Sequence, residues 1–178
     1  MSPDAPAPAH PPVDVLVSRL ADALLQRRWT MASAESCTGG MIAAACTDLA
    51  GSSQWFDRGL VTYSNQAKID LLGVDESVIA RLGAVSVAVA RAMASGARTR
   101  AHAAVALAVT GVAGPSGGSA EKPVGTVWFA WDIQGAVSAE VRRFDGDRAA
   151  VRQQTLRHAL EHLQALVESS PPPSVCAL

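Results

Sequence analysis

Thr30-Met-Ala-Ser-Ala-Glu-Ser-Cys-Thr-Gly-Gly-Met-Ile-Ala-Ala-Ala-Cys46 joins a short apolar run, a turn built on two glycines and a helix of small residues. Read in that order it is a strand that delivers Ser36 to a turn opening a helix, with side chains small enough for the helix to lie close on a sheet. The rest of the chain extends the pattern. Residues 13–28 carry Val13, Leu16, Val17, Leu20 and Leu24 at helical spacing. Residues 60–63 read as a strand, 67–72 and 76–81 as short helices, and 87–100 as an Ala-rich helix capped by Ser86. A buried strand at 103–110 runs into a long Gly-rich loop. Strands at 125–133 and 137–144 meet at Gln134-Gly135 as a hairpin, and 147–167 is the last helix. The alternation predicts a three-layer α/β/α sandwich with a mixed, mostly parallel sheet. One domain is expected over 13–168, between Pro- and Ala-rich tails at 1–12 and 169–178 that read as disordered.

The 178 residues are 49% apolar and 17% charged, and carry a formal charge of −1. No overall field draws nucleic acid or an anionic membrane, so an anionic ligand needs a local site. No run approaches the ~18 apolar residues of a membrane span. Cys37, Cys46 and Cys176 fit no zinc spacing and suit a reducing compartment, so a cytoplasmic protein is expected. The chain has thirteen arginines but only two lysines, Lys68 and Lys122, and Tyr63 is its single tyrosine. A lysine can give up its proton near neutrality and an arginine cannot, which singles out Lys68 and Lys122 for inspection.

Three segments follow strands, where open α/β sheets bind ligands. In Glu35-Ser36-Cys37-Thr38-Gly39-Gly40, Ser36 is placed like the serine of a nucleophile elbow, although Gly-x-Ser-x-Gly is absent. The N–H groups of the following helix end are expected to be free for an oxyanion or a phosphate. On this segment alone a capping serine in a tight turn is the commoner reading. In Tyr63-Ser-Asn-Gln-Ala-Lys68, a desolvated lysine is the expected base, acting directly or through Tyr63, because none of the four histidines is well placed. A packed Tyr beside a surface Lys is the alternative. In Thr110-Gly111-Val-Ala-Gly114-Pro-Ser-Gly117-Gly118, the glycines are read as admitting a ligand close to the backbone. Arg148 and neighbouring arginines could neutralise a phosphate. His158-Ala-Leu-Glu-His162 matches an inverted zinc-peptidase motif, but Leu156, Ala159, Leu160, Leu163 and Val167 place both histidines off the apolar stripe. They are read as surface residues, and no metal site is expected.

Together, Ala34-Glu-Ser-Cys-Thr-Gly-Gly40, Gly59-Leu-Val-Thr-Tyr-Ser-Asn-Gln-Ala-Lys68, Leu72-Gly-Val74, Gly83-Ala-Val-Ser86, the 110–118 loop and Val124-Gly-Thr126 closely resemble the C-terminal domain of the competence-damage-inducible protein CinA. That is the nicotinamide-mononucleotide deamidase family, and the match runs from about Val13 to Val167. The resemblance implies hydrolysis of nicotinamide mononucleotide to the nicotinate form and ammonia in pyridine-nucleotide recycling, with no cofactor or metal and a homodimer or higher oligomer. It places catalysis on Ser36, Tyr63 and Lys68. The binding residues are then Cys37, Thr38, Gly39, Gly40, Thr110, Gly111, Gly114, Gly117, Gly118 and Arg148. The nucleotide-pyrophosphatase-like domain of longer CinA proteins is not expected, and a nucleotide-binding regulatory module of the same fold is the alternative function.

Overall fold

The structure, a computed structural model, describes residues 11–171; the expected tails over 1–10 and 172–178 lie outside it. The helices are α1 (Val13–Arg27), α2 (Met41–Thr47), α3 (Asn65–Leu72), α4 (Glu76–Leu82), α5 (Val87–Ala101) and α6 (Arg148–Ser169). The strands are β1 (Met31–Glu35), β2 (Phe56–Val61), β3 (Val105–Gly111), β4 (Thr126–Ile133) and β5 (Ala136–Arg143). They form one open sheet in the order β2-β1-β3-β4-β5. β1 is parallel to both β2 and β3, whereas β4 is antiparallel to β3 and β5. The expected mixed α/β sandwich is therefore present, and among the described residues β4 alone runs against the other strands.

Alternation along β3 explains the layers. Val105, Leu107 and Val109 join the cluster under α1, α2 and α6, with Phe129 and Trp131. Ala106 and Ala108 face the other way, with Ala32, Ala34 and Ala130, against α5. Alanine on that face lets the Ala-rich α5 lie close, and a Cβ on Gly96 would come within 2.1 Å of the Leu72 carbonyl oxygen. Ser86 caps α5 as expected, accepting from Val89 N–H. Gln134 and Gly135 both take positive φ, which matches the twist of a two-residue hairpin.

Only the second strand is misplaced in the sequence reading. Expected at 60–63, it spans Phe56–Val61 with mostly exposed residues, because it is the sheet edge beyond β1. Its start lies in Trp55-Phe56-Asp57-Arg58, where no alternating pattern marks it. Since β1, β2 and β3 are parallel, their C-terminal ends share one edge. β4 begins there, and β5 ends there before leading to α6. Ser36, Tyr63, Thr110 and Arg148 are thereby brought together from four distant parts of the chain.

Candidate active site

The turn after β1 is organised by Glu35, a residue whose sequence position carried no signal of its role. Its side chain is fully buried. Oε2 accepts from Thr38 Oγ1 (2.7 Å), Gly40 N–H (3.0 Å) and Ile42 N–H (3.0 Å). Oε1 accepts from Ala43 N–H (2.8 Å) and Ser33 Oγ (3.2 Å). Five donors converge on one carboxylate, which as an acceptor-only group matches them all. The expectation that the 38–40 helix end is free for an oxyanion or phosphate is corrected. Glu35 occupies that end, satisfies its orphan N–H groups and places a negative charge where an anion would bind. Gly39 N–H is also used, by the Ser36 carbonyl at 3.1 Å. What remains are the N–H groups of Cys37 and Thr38, which have no backbone acceptor among the described residues. Arg152 holds both residues from the far side: Nε donates to the Cys37 carbonyl (3.1 Å) and Nη2 to that of Thr38 (2.8 Å).

Gly39 and Gly40 have φ of 60° and 98°, so this turn needs residues that tolerate left-handed backbone. It leaves Ser36 at the sheet edge with its amide tied to the Val109 carbonyl at 3.1 Å. Facing it is Lys68, on the first turns of α3, whose N-terminus Ser64 caps through Ala67 N–H. Lys68 is 1% exposed. Its Nζ donates to Ser36 Oγ at 3.1 Å and to the Thr62 carbonyl at 2.8 Å. Burial pushes its pKa below the usual lysine value, because the charged form loses water. Cys37 beside it moves in the opposite protonation sense: burial raises its thiol to about 11, which keeps it protonated.

Tyr63 does not lie between Lys68 and Ser36. It is 62% exposed at the mouth of the cleft, where its hydroxyl accepts from Arg148 Nη2 at 3.0 Å. Arg148 Nη1 donates to the Gly114 carbonyl at 2.9 Å, fixing the guanidinium across the opening. The cleft encloses about 210 Å³, and Ser36, Cys37, Tyr63, Lys68, Thr110, Gly111 and Arg148 line it together with Asn65, Ala84 and Val85. Asn65, Ala84 and Val85 escaped the sequence reading because amide and small apolar side chains carry no signal of chemistry. A wider hollow of about 670 Å³ continues from it along Ala113, Pro115, Asp147, Arg148 and Arg152.

The glycines after β3 divide differently. A Cβ at Gly111 would come within 2.7 Å of the Thr126 carbonyl oxygen, at Gly114 within 2.5 Å of Val124 Cγ1, and at Gly118 within 2.9 Å of Val124 N. The close approach these three permit is to the chain's own entry into β4. Gly117 and Gly118 are exposed and do not line the cleft. Thr110 donates to the Ala84 carbonyl at 3.0 Å and so ties this edge to the loop before α5.

A buried lysine is hydrogen-bonded to a serine at the carboxyl edge of an open α/β sheet and under an arginine, an arrangement chemically able to activate a hydroxyl for hydrolysis. Residues 13–167 match the CinA C-terminal domain family, and the chain belongs to it. It is 56% identical over 140 residues to the nicotinamide-nucleotide amidohydrolase PncC of Enterobacter agglomerans, covering 78% of this chain and 85% of that one. It is 51% identical over 155 residues to the protein of the same name from Pseudomonas putida, covering 87% and 97%. The crystal structure of a CinA superfamily protein from Klebsiella pneumoniae superposes with a TM-score of 0.87 at 40% identity, over 90% of this chain and all of that one (100%).

Proposed function

We propose that this chain hydrolyses the carboxamide of nicotinamide mononucleotide to nicotinate mononucleotide and ammonia, with Ser36 as nucleophile and Lys68 as its base. The observation that carries the mechanism is the Lys68 Nζ to Ser36 Oγ hydrogen bond at 3.1 Å in a buried setting. The names of the relatives supply the substrate class.

Neutral Lys68 takes the Ser36 proton directly, and the alkoxide attacks the carboxamide carbon. The oxyanion is received at Cys37 N–H, the residue after the nucleophile, as in other serine hydrolases. The tetrahedral intermediate breaks its C–N bond as protonated Lys68 returns the proton to nitrogen, and ammonia leaves. Water, deprotonated by the same Lys68, attacks the acyl ester and restores Ser36. Tyr63 and Arg148 bind rather than relay: the guanidinium meets the 5′-phosphate at the mouth, where the cleft opens into the wider hollow. Cys37 lines the cleft, whereas Thr38, Gly39 and Gly40 lie behind it in the turn tied to Glu35, and the 110–118 loop carries Gly114 against Arg148. The residues lining the cleft include no histidine or carboxylate, so its donor set does not suit a catalytic metal.

Ammonia release measured with nicotinamide mononucleotide, nicotinamide riboside and NAD tests the proposal. The mononucleotide should be turned over fastest, with the riboside losing affinity for want of a phosphate. Saturable binding of the mononucleotide without ammonia release would instead make the domain a nucleotide-binding module.

A further inference from the structure

The two histidines of α6 are not the surface residues the sequence implied. α6 packs on β3 and β4, and Glu140 of β5 reaches it from the side, so the helix flank beside its apolar stripe is covered as well. His158 packs edge-on against Phe129, with ring centroids 4.8 Å apart. His162 lies over Trp131 at 4.1 Å. Phe129 is paired with Glu140 across β4 and β5, which puts Glu140 on the same sheet face, toward α6. There Glu140 Oε1 contacts His158 Nε2, and its side chain is 26% exposed. One ligand atom each from Glu140, His158 and His162 lies within 4.8 Å of the others. The third of these groups has no signature along the helix, because it comes from the neighbouring strand.

We propose that Glu140, His158 and His162 form a binding site for a divalent transition metal such as Zn²⁺, joining α6 to β5 outside the hydrolase cleft. Histidines four residues apart stand one above the other on a helix, the spacing that lets two imidazoles share one ion. Two imidazoles and a carboxylate are a donor set that zinc, nickel and copper accept, with water completing the coordination. Bonds of ~2.0–2.1 Å in a tetrahedral site separate ligand atoms by about 3.4 Å, so rotamer adjustments of roughly an ångström close the shell. Arg142 competes for the carboxylate, with Nε 3.2 Å from Oε1 and Nη2 3.5 Å from Oε2. It is 54% exposed and its pairing is screened by water, so the ion displaces it. Glu161, the glutamate of the His-x-x-Glu-His motif, faces Arg157 at 3.6 Å. The site is therefore a cross-brace rather than a peptidase centre. His158 follows Arg152 by six residues, about 9 Å along the helix, so the brace fixes the element that supplies Arg148 and Arg152 to the cleft.

The test is calorimetric titration of the metal-free full chain with Zn²⁺, alongside thermal unfolding with and without the ion. One Zn²⁺ should bind per chain with roughly micromolar affinity or better, and an ion at a hundred times its Kd should raise Tm by about 5–10 °C. His158→Gln and His162→Gln should each weaken binding at least tenfold, and Glu140→Gln somewhat less, with metal-free melting close to that of the parent. Absence of saturable Zn²⁺ binding by the parent chain would overturn the proposal, whatever the variants do. So would unchanged affinity in a His158→Gln, His162→Gln double variant, which would place the ion elsewhere. Because the cleft lacks these ligands, failure of this site would leave the proposed hydrolysis untouched.

Discussion

Replacing Glu35 by Gln changes one buried atom and separates the scaffold of the nucleophile turn from its chemistry. If the amide oxygen takes the Oε2 position, the bonds from Thr38, Gly40 and Ile42 persist but lose their charge assistance. The amide nitrogen then faces Ala43 N–H, donor against donor, at a point now 2.8 Å away. An orphaned buried N–H costs about 1–3 kcal/mol, and each weakened charged bond a fraction of its ~1.5–3 kcal/mol. The lost carboxylate at the α2 N-terminus adds up to ~2 kcal/mol. The sum is roughly 3–5 kcal/mol, or a fall in Tm of about 6–20 °C for a chain of this size. Turnover measured well below Tm should also fall, on the order of 100-fold in kcat, because a turn displaced by an ångström no longer aims Ser36. Calorimetric unfolding and steady-state kinetics read the two effects separately. A variant that melts within about 2 °C of the parent would refute the reasoning about the carboxylate. One that melts early but retains full kcat would show that Glu35 braces the fold without positioning the serine.

Lys68→Arg should lose nearly as much rate as Lys68→Ala, since arginine stays protonated, while Lys122→Arg should be close to neutral. Strong rescue of turnover in the Lys68→Arg variant would remove Lys68 as the base. Because the folded-state pKa of Lys68 is depressed, kcat/KM should climb with pH as the amine loses its proton, below the range of a free lysine. The unfolded chain binds that proton more readily, so stability should rise with pH from the depressed folded-state pKa up to the range of a free lysine, and Lys68→Met should flatten the rise as it abolishes turnover. Gly96→Ala improves helix propensity yet drives a Cβ to 2.1 Å from the Leu72 carbonyl oxygen, so thermal unfolding should show a loss of about 1–3 kcal/mol. A neutral or stabilising result would mean that α3 and α5 can separate freely. Exhaustive chelation should leave turnover intact, and a loss restored by added zinc in a His158→Gln, His162→Gln double variant would place a metal in the cleft.

The layers were legible wherever burial leaves a periodic trace: α1, α5, β3 and the β4–β5 hairpin stand within about two residues of where the pattern puts them. β2 was not, because an edge strand with exposed Asp57, Arg58 and Gly59 has no face to mark it. Ser36 and Lys68 were readable as residue types, but their pairing depends on β1 and β2 being parallel neighbours, which no local signal encodes. Glu35 stayed silent, and Arg152 was read only as one of several arginines that could meet a phosphate, for a different reason. They act mostly on backbone groups of the 37–43 segment, which leave no complementary residue in the sequence, and the hydroxyls of Ser33 and Thr38 that also reach Glu35 carry no pairing signal. Glu140 lies eighteen residues before His158, and only the strand register brings it beneath α6.

The most direct test of the mechanism is ammonia release from nicotinamide mononucleotide by the parent chain, Ser36→Ala and Cys37→Ser under matched conditions. The thiol of Cys37 is buried and held protonated, with its pKa raised to about 11, so it is a poor nucleophile beside a serine already hydrogen-bonded to Lys68. The account predicts that the parent releases ammonia, that Ser36→Ala falls to background while still binding the mononucleotide, and that Cys37→Ser keeps substantial activity. An active Ser36→Ala, or a dead but folded Cys37→Ser, would contradict it.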